Sequence, residues 1–294
     1  MDRLVVEPNF FIVGAPKSGT TNISYYLMQH PQVFMPENLE PYYFARLDIP
    51  QNYEREIISD EKKYLNLFKN AKNCKAIGES SPVYLYCPHS ALEIKNRFPN
   101  SKIIISLRNP IEIAYSEYFS LKFMGFDKNR SFNELLDSSK EQLDQNEFHI
   151  DSLLEAGFYS KHIKRFQKIF SKNQIKIIIF EEYIKNTIPT INSILSFLDI
   201  DKSIAFKTAP KGAYKVPRNF ASQKLMNNST FRKTAKFIIP TVARQKIGER
   251  FLVKESSRPV LKQNERQRLK EIYQDDVENL AKLLGRSLPW KDFY

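Results

Sequence analysis

The chain has 294 residues, 42% of them hydrophobic, and a formal net charge of +12 from 45 Lys and Arg against 33 Asp and Glu. That length and apolar content fit a globular protein with a sizeable core and exclude a disordered or collagen-like chain. No apolar run approaches the ~20 residues of a membrane span, and residues 1–8 lack the apolar stretch of a signal peptide. We therefore expect a cytoplasmic protein with no membrane partner. Cys74 and Cys87 stand alone, which points to free thiols, and no Cys/His cluster has metal-ligand spacing. The basic balance is open to nucleic acid, an acidic polymer or an anionic ligand. No Arg-rich helix, zinc finger or aromatic RNA-binding signature is present, so nucleic acid is not expected. Nothing in the sequence sets an oligomeric state.

The first expected strand, residues 9–13, stops at Gly14, and a helix is expected over 20–29. Strand, glycine-flanked loop and helix N-terminus form an anion cradle, because loop N–H groups and the positive end of the helix dipole converge on one point. The loop resembles a Walker A box, with Gly14 and Gly19 at the right spacing and Thr21 at the Ser/Thr position. Thr20 stands where the Walker lysine belongs, and Lys17 has moved inside the loop. That relocation argues against an ordinary nucleotide triphosphatase and for a relative that binds another phosphorylated donor.

Further along, strands are expected at 75–77, 102–107 and 174–180, and helices at 88–97, 110–119, 160–170 and 190–198. The Ile-rich runs fit strands buried on both faces of a parallel sheet. Arg108 follows the strand 102–107, at the edge where open α/β sheets bind ligands. Pro110 starts a helix, and Ser116 lies on it, eight residues beyond Arg108. An arginine and a serine hydroxyl there suit a second phosphate. A Walker B strand ends in an Asp that helps hold magnesium; this one ends in Arg108, so no essential metal is expected. Residues 219–270 are polar and basic and read as a peripheral or mobile segment of one domain spanning 1–294. A last helix is expected over 264–284, with Asn264 as N-cap and Gly285 as stop. The alternation predicts an α/β, P-loop-like three-layer fold with a central parallel sheet flanked by helices.

On these residues the chain resembles the sulfotransferases that use 3′-phosphoadenosine 5′-phosphosulfate (PAPS) and release 3′-phosphoadenosine 5′-phosphate (PAP). The run Ala15-Pro16-Lys17-Ser18-Gly19-Thr20-Thr21 is similar to the family's 5′-phosphosulfate loop, and Leu107-Arg108-Asn109-Pro110 with Tyr115-Ser116 to its 3′-phosphate site. His30-Pro31-Gln32-Val33, Glu40-Pro41-Tyr42-Tyr43-Phe44, residues 78–84 and Gly157-Phe158-Tyr159 resemble pieces of its bacterial and carbohydrate-type members. The resemblance implies that Lys17 neutralises the leaving phosphate while Ser18, Gly19, Thr20 and Thr21 hold the 5′-phosphate. It gives the 3′-phosphate to Arg108 and Ser116. It also implies that Lys211, Gly212 and Arg218 cover the donor.

Two carboxylates compete for general base. Glu40 matches the base of carbohydrate-type relatives. Glu79 lies close to where small-molecule members carry a histidine. Leu39 and Ser80 replace lysines common in polysaccharide-modifying relatives. Tyr42, Tyr43, Phe44, Tyr84 and Tyr86 are therefore expected to line a pocket for a small-molecule or secondary-metabolite hydroxyl or amine. A saccharide acceptor is the alternative. A P-loop small-molecule kinase and a catalytically silent nucleotide-binding protein are readings from other classes.

Overall fold

The computed structural model describes residues 6–50, 57–124, 129–145, 148–201, 204–208, 215–219, 222, 225 and 251–294. Five strands form one parallel sheet: β1 (Phe10–Gly14), β2 (Val33–Phe34), β3 (Ala76–Glu79), β4 (Lys102–Leu107) and β5 (Ile175–Ile179), in the order β2-β3-β1-β4-β5. β1 is central, with β3 and β4 on its two sides, so the chain changes direction across the sheet at its carboxyl end. Ligand crevices of open α/β sheets form at such a point.

The helices are α1 (Thr20–Leu27), α2 (Glu61–Asn66), α3 (Ser90–Arg97), α4 (Pro110–Met124), α5 (Phe132–Asp144), α6 (Tyr159–Ile169), α7 (Phe180–Tyr183), α8 (Thr187–Phe197) and α9 (Gln263–Leu284). Side chains of a strand alternate between faces, and β1 divides accordingly. Phe10 and Ile12 join Ile104 and Ile178 in one core with Ile23 and Leu27 of α1 and Ile191 and Ile194 of α8. Phe11 and Val13 join Ile103 and Ile105 in the other, with Ile94 of α3, Ile111 of α4 and Phe166 of α6. Both faces are covered, which explains the unbroken apolar runs and gives the expected three-layer α/β fold with its central parallel sheet.

The C-terminal helix begins two residues earlier than a cap at Asn264 requires. Lys262 occupies the N-cap position and its N–H donates to Glu265 Oε2 at 3.1 Å, so Asn264 lies inside the first turn. Gly285 ends it in the left-handed conformation at φ 66°. Among the elements that escaped the sequence reading are α2, β2, α5 and α7. α2 and β2 are short, and α5 is announced by a capping box in which Ser131 Oγ accepts from Glu134 N at 3.3 Å. Within 219–270 a strand β7 (Val253–Glu255) pairs antiparallel with β6 (Lys215–Pro217).

Candidate active site

The loop after β1 is built around close approaches. A Cβ on Gly14 would lie 2.5 Å from Leu85 Cβ and 3.0 Å from the Pro82 carbonyl. Ala15 N donates to Ser106 O at 2.6 Å, and Ser106 Oγ donates to Ser18 O at 2.7 Å, which ties the loop to β4. Lys17 and Gly19 are both left-handed, at φ 59° and 79°. A Cβ at Gly19 would also meet Phe180 Cε2 at 2.8 Å. Gly19 precedes α1, so the amides of the first turn, from Thr20 and Thr21, have no acceptor inside the helix. With the helix dipole they form the expected cradle. Ser18 is buried; its N–H donates to Ala15 O at 3.3 Å and its hydroxyl to Pro16 O at 3.4 Å, so its polar atoms close the turn.

β4 delivers Arg108 beside this loop. Its Nη1 donates to the Lys17 carbonyl at 3.1 Å, and its guanidinium lies 5.0 Å from the centre of the Phe180 ring. Tyr159 OH donates to the Arg108 carbonyl at 2.7 Å. Asn109 N donates to Glu181 Oε1 at 2.9 Å, and Trp290 Nε1 donates to the other oxygen of that carboxylate at 2.9 Å. Ser116 lies on α4 and accepts a hydrogen bond from Arg258 Nη2 at 3.1 Å. Arg258 was not foreseen: it belongs to a polar stretch without a motif, and 142 residues separate it from Ser116.

A cleft of about 150 Å³ is lined by Lys17, Thr20, Thr21, Glu40, Tyr42 and Glu117, with Pro82, Val83 and Tyr86 as an apolar wall. Tyr42 OH donates to Glu40 Oε2. Lys17 Nζ donates to Ser120 Oγ at 2.7 Å and lies 3.9 Å from Glu117 Oε2. Glu117 and Ser120 were also missed. Ser120 stands four residues after Ser116, one turn along α4, and that spacing is the signal that marks it.

Several expected residues lie elsewhere. Tyr43, Phe44 and Tyr84 are core residues rather than pocket lining, at 8%, 1% and 0% exposure. Tyr43 stacks on Tyr64 at 4.5 Å between centroids, and Phe44 packs edge-on against Phe11, Tyr64 and Tyr84. Of the five aromatics, Tyr42 and Tyr86 reach the cleft. Glu79 is fully buried away from it and accepts hydrogen bonds from Ser81 Oγ at 2.7 Å, Tyr84 OH at 2.8 Å and Tyr64 OH at 3.4 Å. Burial raises its pKa from 4.5 to about 8, against the opposing pull of those hydroxyls. Arg218 is exposed, and its N–H donates to Leu252 O at 2.9 Å. Lys211 and Gly212 lie outside the described residues. Among the described residues no three His, Cys, Asp or Glu side chains are placed to share a metal, and no helix is long and apolar enough to cross a membrane.

The profile of the sulfotransferase domain matches residues 7–284. The chain belongs to the sulfotransferase domain family. That membership sets the kinase reading aside. A crystal structure of a sulfotransferase from Alicyclobacillus acidocaldarius superposes with a TM-score of 0.75 at 26% identity, covering 98% of this chain and 100% of that one. The membrane-associated sulfotransferase kil1 of Dictyostelium discoideum is 34% identical over 127 residues, 43% of this chain and 26% of that protein. Human carbohydrate sulfotransferase 15 is 25% identical over 252 residues, 67% of this chain and 45% of that protein. The chain thus spans less than half the length of these two curated relatives.

Proposed function

We propose that the chain transfers a sulfuryl group from PAPS to a hydroxyl, or an amine, of a small-molecule acceptor and releases PAP. One observation carries this reading: Lys17 of the anion loop and Glu40 line a single cleft, and Arg108 is bonded to that same loop. PAPS, when bound, supplies an activated sulfuryl group on a phosphate leaving group. The amides of Gly19, Thr20 and Thr21, with the two threonine hydroxyls, hold its 5′-phosphate. Arg108 and Ser116 hold the 3′-phosphate, and Arg258 adds a second cation on Ser116. Lys211, Gly212 and Arg218 keep their proposed place over the donor.

The chemistry assigned to the side chains is local. Lys17 neutralises the charge that grows on the leaving phosphate oxygen as its bond to sulfur breaks. The Glu40 carboxylate takes the acceptor proton as the oxygen or nitrogen of the acceptor bonds to sulfur. The reaction draws on positioning of these two groups as much as on charge. Glu40 lines the cleft and Glu79 does not, which favours Glu40 over Glu79 as the base.

A saccharide acceptor is the second reading. It is favoured by the likeness to a carbohydrate sulfotransferase and, at 28% identity over 206 residues, to a Caenorhabditis briggsae bifunctional heparan sulfate N-deacetylase/N-sulfotransferase. Incubation with sulfur-labelled PAPS and two acceptor panels, small hydroxylated or amino compounds and neutral or acidic oligosaccharides, decides between them. Label transfer confined to the oligosaccharides overturns the small-molecule reading. Label transfer to neither panel overturns the proposed activity.

A further inference from the structure

The segment that carries Glu40 into the cleft hangs from β3, and the attachment converges on one buried carboxyl. Ser80 N donates to Leu39 O at 2.8 Å. Tyr42 N donates to Ser81 Oγ at 3.2 Å, and Ser81 Oγ donates to Glu79 Oε2 at 2.7 Å. Phe44 N donates to Tyr84 OH at 3.2 Å, and Tyr84 OH donates to Glu79 Oε1 at 2.8 Å. Two alternate amides of the segment are thus held by two hydroxyls, and each hydroxyl is held by a different oxygen of Glu79. The hold acts where the backbone is least comfortable. Tyr42 is left-handed at φ 55° and ψ 18°, a conformation that an aromatic residue keeps only when its surroundings fix it. That conformation directs Tyr42 OH onto the Glu40 carboxylate.

We propose that Glu79 is a positioning residue for sulfuryl transfer: by anchoring Ser81 and Tyr84 it fixes the backbone at Tyr42 and Phe44 and so aims Glu40 at the acceptor. The proposal rests on the reading of Glu40 as the base. Glu79 does not line the cleft, so it acts only through these neighbours. The groups around it are Tyr64 from α2, Tyr84 and Ser81 beyond β3, and Glu40 from the anchored segment itself. Burial first, and then the nearby Glu40 charge, hold its carboxyl above the usual range. When the carboxyl is protonated, one of its oxygens donates to its hydroxyl partner instead of accepting, an arrangement that the glutamine amide reproduces.

The test compares wild type, Glu79→Gln, Glu79→Ala and Ser81→Ala in the full chain saturated with PAP. Peptide-resolved hydrogen–deuterium exchange requires no acceptor. Glu79→Ala is expected to speed exchange across residues 40–44 about tenfold while the loop around Gly19 keeps its protection. With the acceptor found by the panels, Glu79→Ala is expected to lower kcat about tenfold or more and to leave KM for PAPS within about twofold, with Glu79→Gln close to wild type. Unchanged exchange across 40–44 overturns the proposal, as does a Glu79→Gln variant as slow as Glu79→Ala. Should Glu79→Ala not fold, Ser81→Ala cuts one arm and must show the same split; wild-type behaviour there overturns the proposal. Glu40→Gln keeps the two readings apart. Full turnover in Glu40→Gln sinks Glu40 as base, whereas an inactive Glu40→Gln beside a fully active Glu79→Ala sinks only the role of Glu79.

Discussion

Lys17 is the cation nearest the proposed bond-breaking, and its own surroundings are polar rather than charged through. It is about one-third exposed, bonded to the Ser120 hydroxyl, and 3.9 Å from Glu117, too long for a tight ion pair. Such a lysine moves to a developing negative charge at small cost. Lys17→Ala should therefore lower single-turnover PAPS consumption about 100-fold or more, with a much smaller change in PAP affinity, since only the transition state carries the full charge. Equal losses in both would make Lys17 a binding residue instead. Glu79 makes a different prediction, in stability. Its folded pKa is about 8 against an ordinary 4.5. Between these values the folded chain holds a proton that the unfolded chain has released, so stability is fully present below the lower value and falls as pH rises through the upper one. Glu79→Gln should flatten that decline. Melting temperatures taken from pH 5 to about 9 check it, and parallel curves for the two proteins would contradict the assignment.

Among the elements, α1 and α4 do most to assemble the site. α1 offers its N-terminus because Gly19 adopts φ 79° and leaves room for the Phe180 ring. Gly19→Ala must strain the backbone and displace that ring. We expect a loss of about 1–3 kcal/mol, seen as a lower denaturation midpoint, together with weaker PAP binding. A variant as stable and as tight as wild type would show that the loop tolerates another shape. α4 presents Ser116 and Ser120 one turn apart, with Glu117 between them turned to the cleft. Much of this was legible beforehand. The loop spacing, the strand-end position of Arg108 and the Ile-rich strands each follow from local pattern, and the Ser131–Glu134 capping box was there to be read for α5. What escaped is non-local. Whether Tyr43, Phe44 and Tyr84 face a pocket or the core depends on what packs over them, and Tyr64 and Phe11 lie far off in sequence. Arg258 meets Ser116 only once the whole chain has folded.

At the scale of the molecule, the C-terminal part braces the donor side. Asn109 Nδ2 donates to Asp292 at 2.7 Å, and Arg266 bridges Asp292 and Glu112. Trp290, 1% exposed, packs near Tyr159 and shares Glu181 with Asn109. Trp290→Ala opens a cavity and removes one donor from Glu181. It should cost about 3–5 kcal/mol in stability and also weaken PAP binding, although the ring touches no donor group. Loss of stability with unchanged affinity would confine Trp290 to packing. One anion site, made from the loop after β1 and the arginine after β4, is proposed to hold the donor. Calorimetric titration with PAP, without added metal, on wild type and Arg108→Ala tests it most directly. Binding to wild type and a roughly 10- to 100-fold loss in Arg108→Ala, the size of a charge-assisted phosphate contact, are expected. No binding to wild type, or equal binding to both, would contradict it.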